Sequence, residues 1–317
     1  MSGLASLTQL LEAIMAVALA PLFLGWVNQC RAWLQNRTAP VLLLPYHGIR
    51  KLFHKDAVLA ENASPLFRAA PYVVFGAMVA AAAIIPSMGT ALPFASASAD
   101  AIALVGLLAT ARVFMALAAM DIGTAFGTLG ARREMMVGFL AEPALLMVIF
   151  VASLISATTA LPLIAERLAT QAPALYPSLA FTAVAFTMVL LAENARIPVD
   201  NPATHLELTM IHEAMLLEYS ARHLALMEWA AALKLFNYAC IGFALFIPWG
   251  ASTTHSGPAG LLLAVPVLVG KLAVAGVWLA LLETVSAKLR VFRAPEFLAT
   301  AFMFAVLGLL VHLLLGA

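Results

Sequence analysis

Long apolar segments separated by short polar ones run through this chain of 317 residues. The length of each apolar segment is close to the roughly 20 residues that a helix needs to cross the hydrocarbon core of a bilayer. The pattern predicts eight such helices, near 4–29, 69–89, 101–120, 135–158, 174–194, 226–250, 259–284 and 297–315. The sequence lacks the alternating ten-residue segments of a membrane β-barrel, so the backbone must satisfy its hydrogen bonds within helices.

The composition agrees with a membrane environment. Hydrophobic residues make up 64% of the chain, charged residues 10%, and the mean hydropathy is +1.00. Ordinary soluble domains have roughly 45–50% apolar and about 25% charged residues. We therefore predict an all-α, polytopic membrane protein with one transmembrane domain over 1–317. The first apolar segment lacks the basic start and small-residue cleavage site of a signal peptide, so we expect a retained helix.

Basic residues concentrate in alternate loops, and thirteen of the seventeen Lys and Arg residues belong to this one set. The set comprises the loops 30–68, 121–134, 195–225 and 285–296, whereas Arg167 is alone on the opposite side. Cytoplasmic loops carry the excess of basic residues in membrane proteins. The pattern predicts that these loops face the cytoplasm and that both termini lie outside.

The segment Pro45–Lys55 has an amphipathic helical pattern. Its apolar face carries Tyr46, Ile49, Leu52 and Phe53, and its polar face carries His47, Arg50, Lys51, His54 and Lys55. A helix of this kind lies in the interface plane instead of crossing the bilayer. Two interpretations remain open: the helix floats at the headgroups, or it roofs a cavity at the level of the lipid.

Charged residues also occur inside the predicted spans or at their ends, where each costs roughly 2.5–3.5 kcal/mol on insertion scales. They are Arg112, Glu142, Glu193, Glu228, Lys234, Lys271 and Glu283. Buried carboxylates near basic groups can carry protons, because burial raises their pKa and a nearby cation lowers it. The alternative is a set of static ion pairs that hold helices together. Taken as a group, the residues favour a hydrated path.

A polar segment from Glu193 to Ser220 contains five carboxylates and two His between two apolar stretches. Pro198 and Pro202 interrupt helix there, and Asp200 is placed to cap the structure that follows. The His and Glu spacing gives no coherent ligand set, so we predict no metal site. The chain's two Cys are too few and too far apart for an iron–sulfur cluster or a disulfide framework.

A second distinctive segment covers 121–142, where three glycines precede Arg132 and Arg133. Glycines allow close backbone approach or positive φ. The segment has neither the residue order nor the preceding strand of a phosphate-binding loop. We expect a loop that leads into a helix, with Glu142 about eight residues, or roughly 12 Å, below the start of its span.

Two sequence segments carry a family resemblance. LAENARIPVDNPATHLEL at 191–208, followed by LEYS at 217–220, resembles the most characteristic segment of the proton-pumping NADH:quinone oxidoreductase subunit 1 family. MDIGTAFGTLGARREMMVGFLAEP at 120–143 looks still more like the related subunit of formate hydrogenlyase and other membrane-bound nickel–iron hydrogenases. The resemblance covers most of the chain and ranks a hydrogenase-type complex first.

The resemblance implies a complex I subunit 1-like fold and a membrane anchor and coupling subunit without a redox centre of its own. Electron transfer in a cytoplasmic arm would be linked to proton or Na⁺ translocation through buried carboxylates. The implied partners are hydrogenase-like small and large subunits, an iron–sulfur subunit, antiporter-like membrane subunits and lipid, but no nucleic acid. Those partners would carry iron–sulfur clusters and a nickel–iron (NiFe) centre. A quinone or a lipid would occupy the cavity, in the inner membrane of a prokaryotic cell.

The family motifs and the charges within the spans together predict two sets of site residues. The proton path and coupling set is Glu142, Glu193, Asp200, Glu207, Glu218, Glu283 and Lys234. The cavity and docking set is Arg37, Arg50, Lys51, Arg133, Arg196 and His205. No catalytic or metal-binding residue is predicted.

Three departures from the quinone-reducing members count against quinone binding. Val199 replaces a Phe, His205 replaces a carboxylate, and three extra residues separate Leu208 from Glu218. A quinone-site subunit of a quinone-reducing enzyme is therefore the second hypothesis. A stand-alone ion transporter is the third, and the lack of inverted sequence halves counts against it.

Overall fold

The computed structural model describes residues 2–90, 100–170, 176–200, 210–251, 257–287, 289 and 293–315. Within these ranges the chain forms eleven α-helices and no strand beyond an isolated bridge between Asp100 and Ala160. In chain order the helices are α1 (Ser2–Leu34), α2 (Leu44–Phe53), α3 (Pro65–Ile84), α4 (Ala101–Asp121), α5 (Ala125–Ser156), α6 (Leu161–Thr170), α7 (Pro177–Glu193), α8 (His212–Leu216), α9 (Ala221–Phe246), α10 (Gly257–Val285) and α11 (Ala294–Leu315).

Each of the eight predicted spans corresponds to a helix. Seven helices in the described residues are long and apolar enough to cross a membrane, namely α1, α3, α4, α5, α9, α10 and α11. The remaining predicted span, 174–194, corresponds to α7, an apolar helix of 17 residues. The prediction of an all-helical, polytopic membrane protein is confirmed.

Local side chains define where several helices begin. Ser64 accepts a hydrogen bond from the amide of Leu66 at the start of α3, over 3.1 Å. Asp100 does the same for Ile102 at the start of α4, over 3.2 Å. These caps satisfy amide groups that have no partner within the first helical turn.

The start of α5 corrects the prediction for 121–142. Thr124 caps the helix, which begins at Ala125, ten residues before the predicted start at 135. Gly123 has a positive φ of 75°, but the other two glycines that precede Arg132 lie inside the helix. Glu142 is therefore about 26 Å along α5, not roughly 12 Å, at 1.5 Å per residue.

A further correction concerns the stretch between the predicted spans 135–158 and 174–194, to which the sequence assigned no helix. The structure places α6 there, with Leu161, Ile164 and Leu168 buried. Arg167 donates a hydrogen bond to the carbonyl of Ser156, at the end of α5. A cationic side chain satisfies carbonyl groups well at this end of a helix. The loop thus contains an amphipathic helix that covers the end of α5.

Helix α9 lies at the centre of the bundle, where it packs against α1, α2 and α3. In its most apolar window 67% of residues are buried, compared with 28% for α10 and 22% for α11. α10 packs mainly on α1, while α11 packs on α5 and α7. Helix α9 is therefore more enclosed by protein than α10 or α11.

The predicted interfacial helix is confirmed as α2. Its apolar face packs on α9, with Ile49 buried and the ring of Phe53 in an edge contact with Trp229 at 6.4 Å. Arg50 and Lys51 are exposed on the other face. A helix with one packed face and one cationic face is suited to lie along a membrane surface.

Candidate functional site

Charged side chains from four helices meet inside the bundle. We call this set the central cluster; it consists of Arg112 from α4, Glu134 and Glu142 from α5, Glu193 from α7 and Lys234 from α9. The guanidinium of Arg112 bonds Glu142 through Nη1 and Glu193 through Nη2. Its Nε lies 3.6 Å from Glu134, and Lys234 Nζ lies 2.9 Å from Glu193. Arg112 is thus the shared partner of three carboxylates.

The central cluster is enclosed on all but one side. The side chains of Arg112 and Glu193 are only 3% and 1% exposed, whereas that of Glu142 is 34% exposed. Three carboxylates share two cations, so one carboxylate lacks a cation of its own. Buried charge is costly unless it is compensated, so this imbalance makes the cluster an unusual feature of the interior.

Neighbouring residues shape the space around the arginine. Gly138, one helical turn from Glu134 and from Glu142, has no side chain, and a Cβ there would lie 2.5 Å from Arg112 Nη1. The buried phenol of Tyr238 lies beside Glu193 on the α9 side. The glycine therefore admits the guanidinium against the backbone of α5.

A second charged group lies at the end of α10. Glu283 is 1% exposed in its side chain, and its Oε1 accepts from Arg196 Nη1 at 3.0 Å. Its Oε2 lies 3.5 Å from Arg31 Nη1 at the end of α1. The amide of Leu289 also donates to the carbonyl of Pro198, over 3.0 Å. These contacts connect the segment after α7 to α1 and α10.

Asp200 organises the start of α8. Its Oδ2 accepts from the amides of Ile211 and His212, at 3.3 and 3.1 Å. Arg133 on α5 donates to the carbonyl of Met210 at 3.0 Å. The segment before α8 is thus held between a carboxylate and a guanidinium.

A small cavity separates α8 from the central cluster. It has a volume of about 20 Å³, and its polar lining comes from Arg112, His212 and Lys234. A space of roughly 10–15 Å³ or more can hold one water if polar partners are present. Burial, and then the ammonium of Lys234, lower the pKa of His212 to about 4. The imidazole is therefore neutral at physiological pH.

The structure brings some predicted site residues together and separates others. Glu142, Glu193 and Lys234 belong to the central cluster, while Glu283 pairs with Arg196. Arg133 and Asp200 lie on either side of the approach to α8. Four predicted site residues are exposed and lie away from the central cluster, namely Arg37, Arg50, Lys51 and Glu218. His205 and Glu207 lie in 201–209, outside the described residues. Glu228, expected within a span, is exposed on α9.

Two buried acids were missed by the sequence reasoning. Glu134 was assigned to the loop 121–134. In a helix capped by Thr124, however, Glu134 lies four residues from Gly138 and eight from Glu142, on the same face. Glu12 in α1 is 7% exposed, and its Oε1 accepts from the amide of Gly89 at 2.7 Å. An isolated acid near a span end gave no comparable pattern in the sequence.

The 193–220 segment contains His and Glu residues, which are metal-ligand residue types. In the part of the chain that the structure describes, no three His, Cys, Asp or Glu side chains are grouped to hold a metal ion. The charged groups described above are instead arranged as ion pairs and backbone contacts.

The helices and their charged interior define a polytopic membrane protein with ionisable groups at bilayer depth. A family model described as NADH dehydrogenase matches residues 7–314, and the chain belongs to this family. The resemblance inferred from its motifs is thereby confirmed.

Comparison with known proteins gives two curated relatives from Escherichia coli (strain K12). The chain is 34% identical over 306 residues to formate hydrogenlyase subunit 4, covering 94% of this chain and 96% of that protein. It is 36% identical over 243 residues to hydrogenase-4 component C, covering 76% of this chain and 75% of that protein.

The fold also resembles a solved structure. A chain of the membrane-bound sulfane sulfur reductase, an archaeal respiratory membrane complex, superposes with a TM-score of 0.80 at 19% sequence identity. The similarity covers 96% of this chain and 98% of that chain. At this level of identity the comparison establishes the shared fold.

Proposed function

We propose that this chain is the membrane anchor and coupling subunit of a hydrogenase-type redox complex. It links electron transfer in a cytoplasmic arm to proton or Na⁺ translocation through buried carboxylates. The observation that carries the proposal is the central cluster, in which Glu134, Glu142 and Glu193 share two cations within the bundle. The relatives named formate hydrogenlyase subunit 4 and hydrogenase-4 component C support the hydrogenase assignment.

The coupling is electrostatic. A charge change in the arm alters the potential at the central cluster, and a shift of one pKa unit corresponds to about 1.4 kcal/mol. The arm and the central cluster are connected through α8 and the segment 194–200, because Asp200 and Arg133 hold the residues before α8 beside α5. The cluster answers by taking up or releasing a proton, since its acids outnumber its bases by one.

The arm docks on the face that carries α2 and the basic segments, which lies in the cytoplasm, with both termini outside the inner membrane. The exposed cations Arg50 and Lys51 on α2 favour this orientation. The partners are hydrogenase-like small and large subunits with an iron–sulfur subunit, and antiporter-like subunits lie alongside in the bilayer. The iron–sulfur clusters and the nickel–iron centre belong to those partners.

Purification tests the assembly. The chain is tagged, extracted in mild detergent, and the co-purifying proteins are identified by mass spectrometry with analysis of iron, nickel and acid-labile sulfide. We expect iron–sulfur subunits and a nickel-containing large subunit. Co-purification of no metal-containing protein contradicts the proposal. Proton or Na⁺ flux in liposomes that contain this chain alone would instead support a stand-alone transporter.

The Glu142→Gln variant tests the coupling. The complex is reconstituted in liposomes, turnover is driven by reduced methyl viologen, and ion movement is followed with a pH-sensitive dye and with radioactive sodium. We expect normal composition and viologen oxidation but fewer ions moved per electron, because glutamine cannot ionise. Glu61→Gln, an exposed loop acid, is the control. An unchanged ion-to-electron ratio removes Glu142 from the path.

A further inference from the structure

His212 lies beside the central cluster but has no role in the coupling proposed above. It is the first residue of α8, and its ring lines the 20 Å³ cavity together with Arg112 and Lys234 of the central cluster. The other lining residues on α3, α4 and α9 are apolar, among them Val74, Leu108 and Met227. The cavity therefore has polar residues on the His212 side and on the cluster side, and its remaining lining is apolar.

The backbone of His212 is fixed more firmly than a loop residue would be. Its amide donates to Asp200 Oδ2 at 3.1 Å, and the preceding Ile211 is also bonded to that oxygen. Gly130 on α5 permits close packing here, because a Cβ at that position would lie 2.9 Å from both Ala214 Cβ and the Ile211 carbonyl oxygen. The backbone that carries the ring is thus held from two sides.

Charged groups surround the imidazole from each packed element. Lys234 on α9 and Arg112 on α4 share its cavity, and Asp200 lies beside its backbone. Arg133 on α5 contacts the carbonyl of Met210, and Glu213 follows on α8 itself. Two cations face the ring across the cavity, and they disfavour a lasting imidazolium. A neutral imidazole has one nitrogen that donates and one that accepts.

We propose that His212 transfers protons between the α8 side of the chain and the central cluster, through one water in the shared cavity. One ring nitrogen accepts a proton from the α8 side while the N–H bond of the other nitrogen breaks and its proton passes to the water. The water then releases a proton to the carboxylates of the cluster. No electron is exchanged; the imidazole is neutral before and after the step, and tautomer exchange restores its starting form. This inference rests on the proposed function.

The cluster is a suitable acceptor because Glu134 and Glu142 are bound by Arg112 only, without a second cation within ion-pair distance among the described residues. Lys234 lines the same cavity, so its side chain can donate a hydrogen bond to that water. The two cations disfavour an imidazolium, so the relay responds to changes in the charge around the ring. The geometry therefore points to a step that responds to charge changes transmitted through α8.

The test uses the assembled complex in liposomes, driven by reduced methyl viologen. His212→Gln keeps a side chain of similar size but cannot relay a proton. The control is His312→Gln, at a half-buried residue in the last turn of α11 and outside the proposed docking face. We expect normal subunit composition and a proton movement slower by about 100-fold or more, because a positioned proton-transfer group typically contributes on the order of 10²–10⁴-fold. The pH profile of proton movement changes as well, which a purely structural role would not cause.

Chemical rescue completes the design. His212→Ala leaves space for added imidazole, which we expect to restore proton movement in part, measured per assembled complex. Failure of imidazole to restore it overturns the inference, as does unchanged proton movement in His212→Gln when Glu142→Gln reduces it. Movement of Na⁺ without protons also overturns it. If neither His212→Gln nor Glu142→Gln alters coupling, the proposed function itself fails.

Discussion

Glu193 bridges two cations, with Oε1 bonded to Arg112 and Oε2 lying 2.9 Å from the ammonium of Lys234. Among the described residues, Arg112 is the one cation within ion-pair distance of Glu134 and of Glu142. A buried carboxylate paired with two cations is more strongly bound than one that shares a single cation. Glu193 is therefore the acid of the central cluster whose charge the surrounding ion pairs depend on most.

The bridging arrangement predicts unequal effects of neutralising the acids. Glu193→Gln removes a buried charge that two cations share, and breaking a buried pair typically costs roughly 3–5 kcal/mol. We expect a large fall in the thermal unfolding temperature of the detergent-solubilised protein. Glu142→Gln, at a side chain that is 34% exposed, should lower it much less. Equal losses for the two variants would argue against a bridging role for Glu193.

Gly138→Ala should displace the guanidinium of Arg112. The added Cβ would lie 2.5 Å from Nη1 and 2.7 Å from Cδ, well inside ordinary contact distance. Overpacking of this kind costs typically about 1–3 kcal/mol, and here it also separates Arg112 from its acids. We expect lower thermal stability and a lower ion-to-electron ratio in reconstituted complex.

Gly106→Ala on α4 provides the matched control, because a Cβ there has no neighbour within 4 Å. Alanine favours helix over glycine by roughly 1 kcal/mol, so this variant should be neutral or slightly more stable. A Gly138→Ala protein that behaves like Gly106→Ala would show that the guanidinium has room to move.

The two arginines that contact Glu283 should not contribute equally. Arg196 is 13% exposed and lies 3.0 Å from the carboxylate, whereas Arg31 is 32% exposed and lies 3.5 Å away. Solvent screening weakens the more exposed pair. We expect Arg196→Met to lower thermal stability by clearly more than Arg31→Met. The reverse order, measured on the same purified complex, would contradict this ranking.

Stability should fall in mildly acidic solution because of His212. Its pKa is lowered from the ordinary 6.5 to about 4, by burial and then by Lys234. Between these values the unfolded chain binds a proton that the folded chain does not, so folding weakens as the pH falls from about 6.5 to about 4. This contribution is fully present above pH 6.5. The His212→Gln variant should therefore show a smaller drop in unfolding temperature between pH 7 and pH 5 than the unchanged protein. Identical drops in the variant and the unchanged protein would contradict this role of His212.

Arg133→Ala should loosen the approach to α8. The variant loses the hydrogen bond to the Met210 carbonyl, and a hydrogen bond to a charged group contributes about 1.5–3 kcal/mol. We expect faster hydrogen exchange in α8 and lower redox-linked activity of the assembled complex. Arg132→Ala, an exposed neighbour on α5, is the control. Normal exchange, composition and activity in Arg133→Ala would contradict a role in holding this segment.

The membrane helices and the interfacial helix could be predicted because their signals are local. Bilayer thickness sets the length of an apolar span, and α2 shows its packed and exposed faces in the spacing of residues such as Ile49 and Arg50. The motifs at 120–143 and 191–208 likewise identified the family from contiguous residues. Each of these inferences needs only the order of residues along one segment.

The start of α5 illustrates where local reasoning failed. Glycines suggested a loop, but Thr124 caps a helix there and Gly130 packs against Ala214 on α8. A glycine in a helix costs roughly 1 kcal/mol relative to alanine, and tertiary contact offsets that cost. The same misassignment hid Glu134, which lies on the face that meets Arg112.

The sequence by itself determined that charges lie at bilayer depth, because a charged residue inside an apolar span is visible in the order of residues. Only the tertiary structure decided which charges meet. Arg112 finds its partners 30 and 81 residues away along the chain, and Glu283 meets Arg31 across 252 residues. Pairing depends on which helix faces point at each other, and helix packing, not the pattern within any one helix, sets those faces.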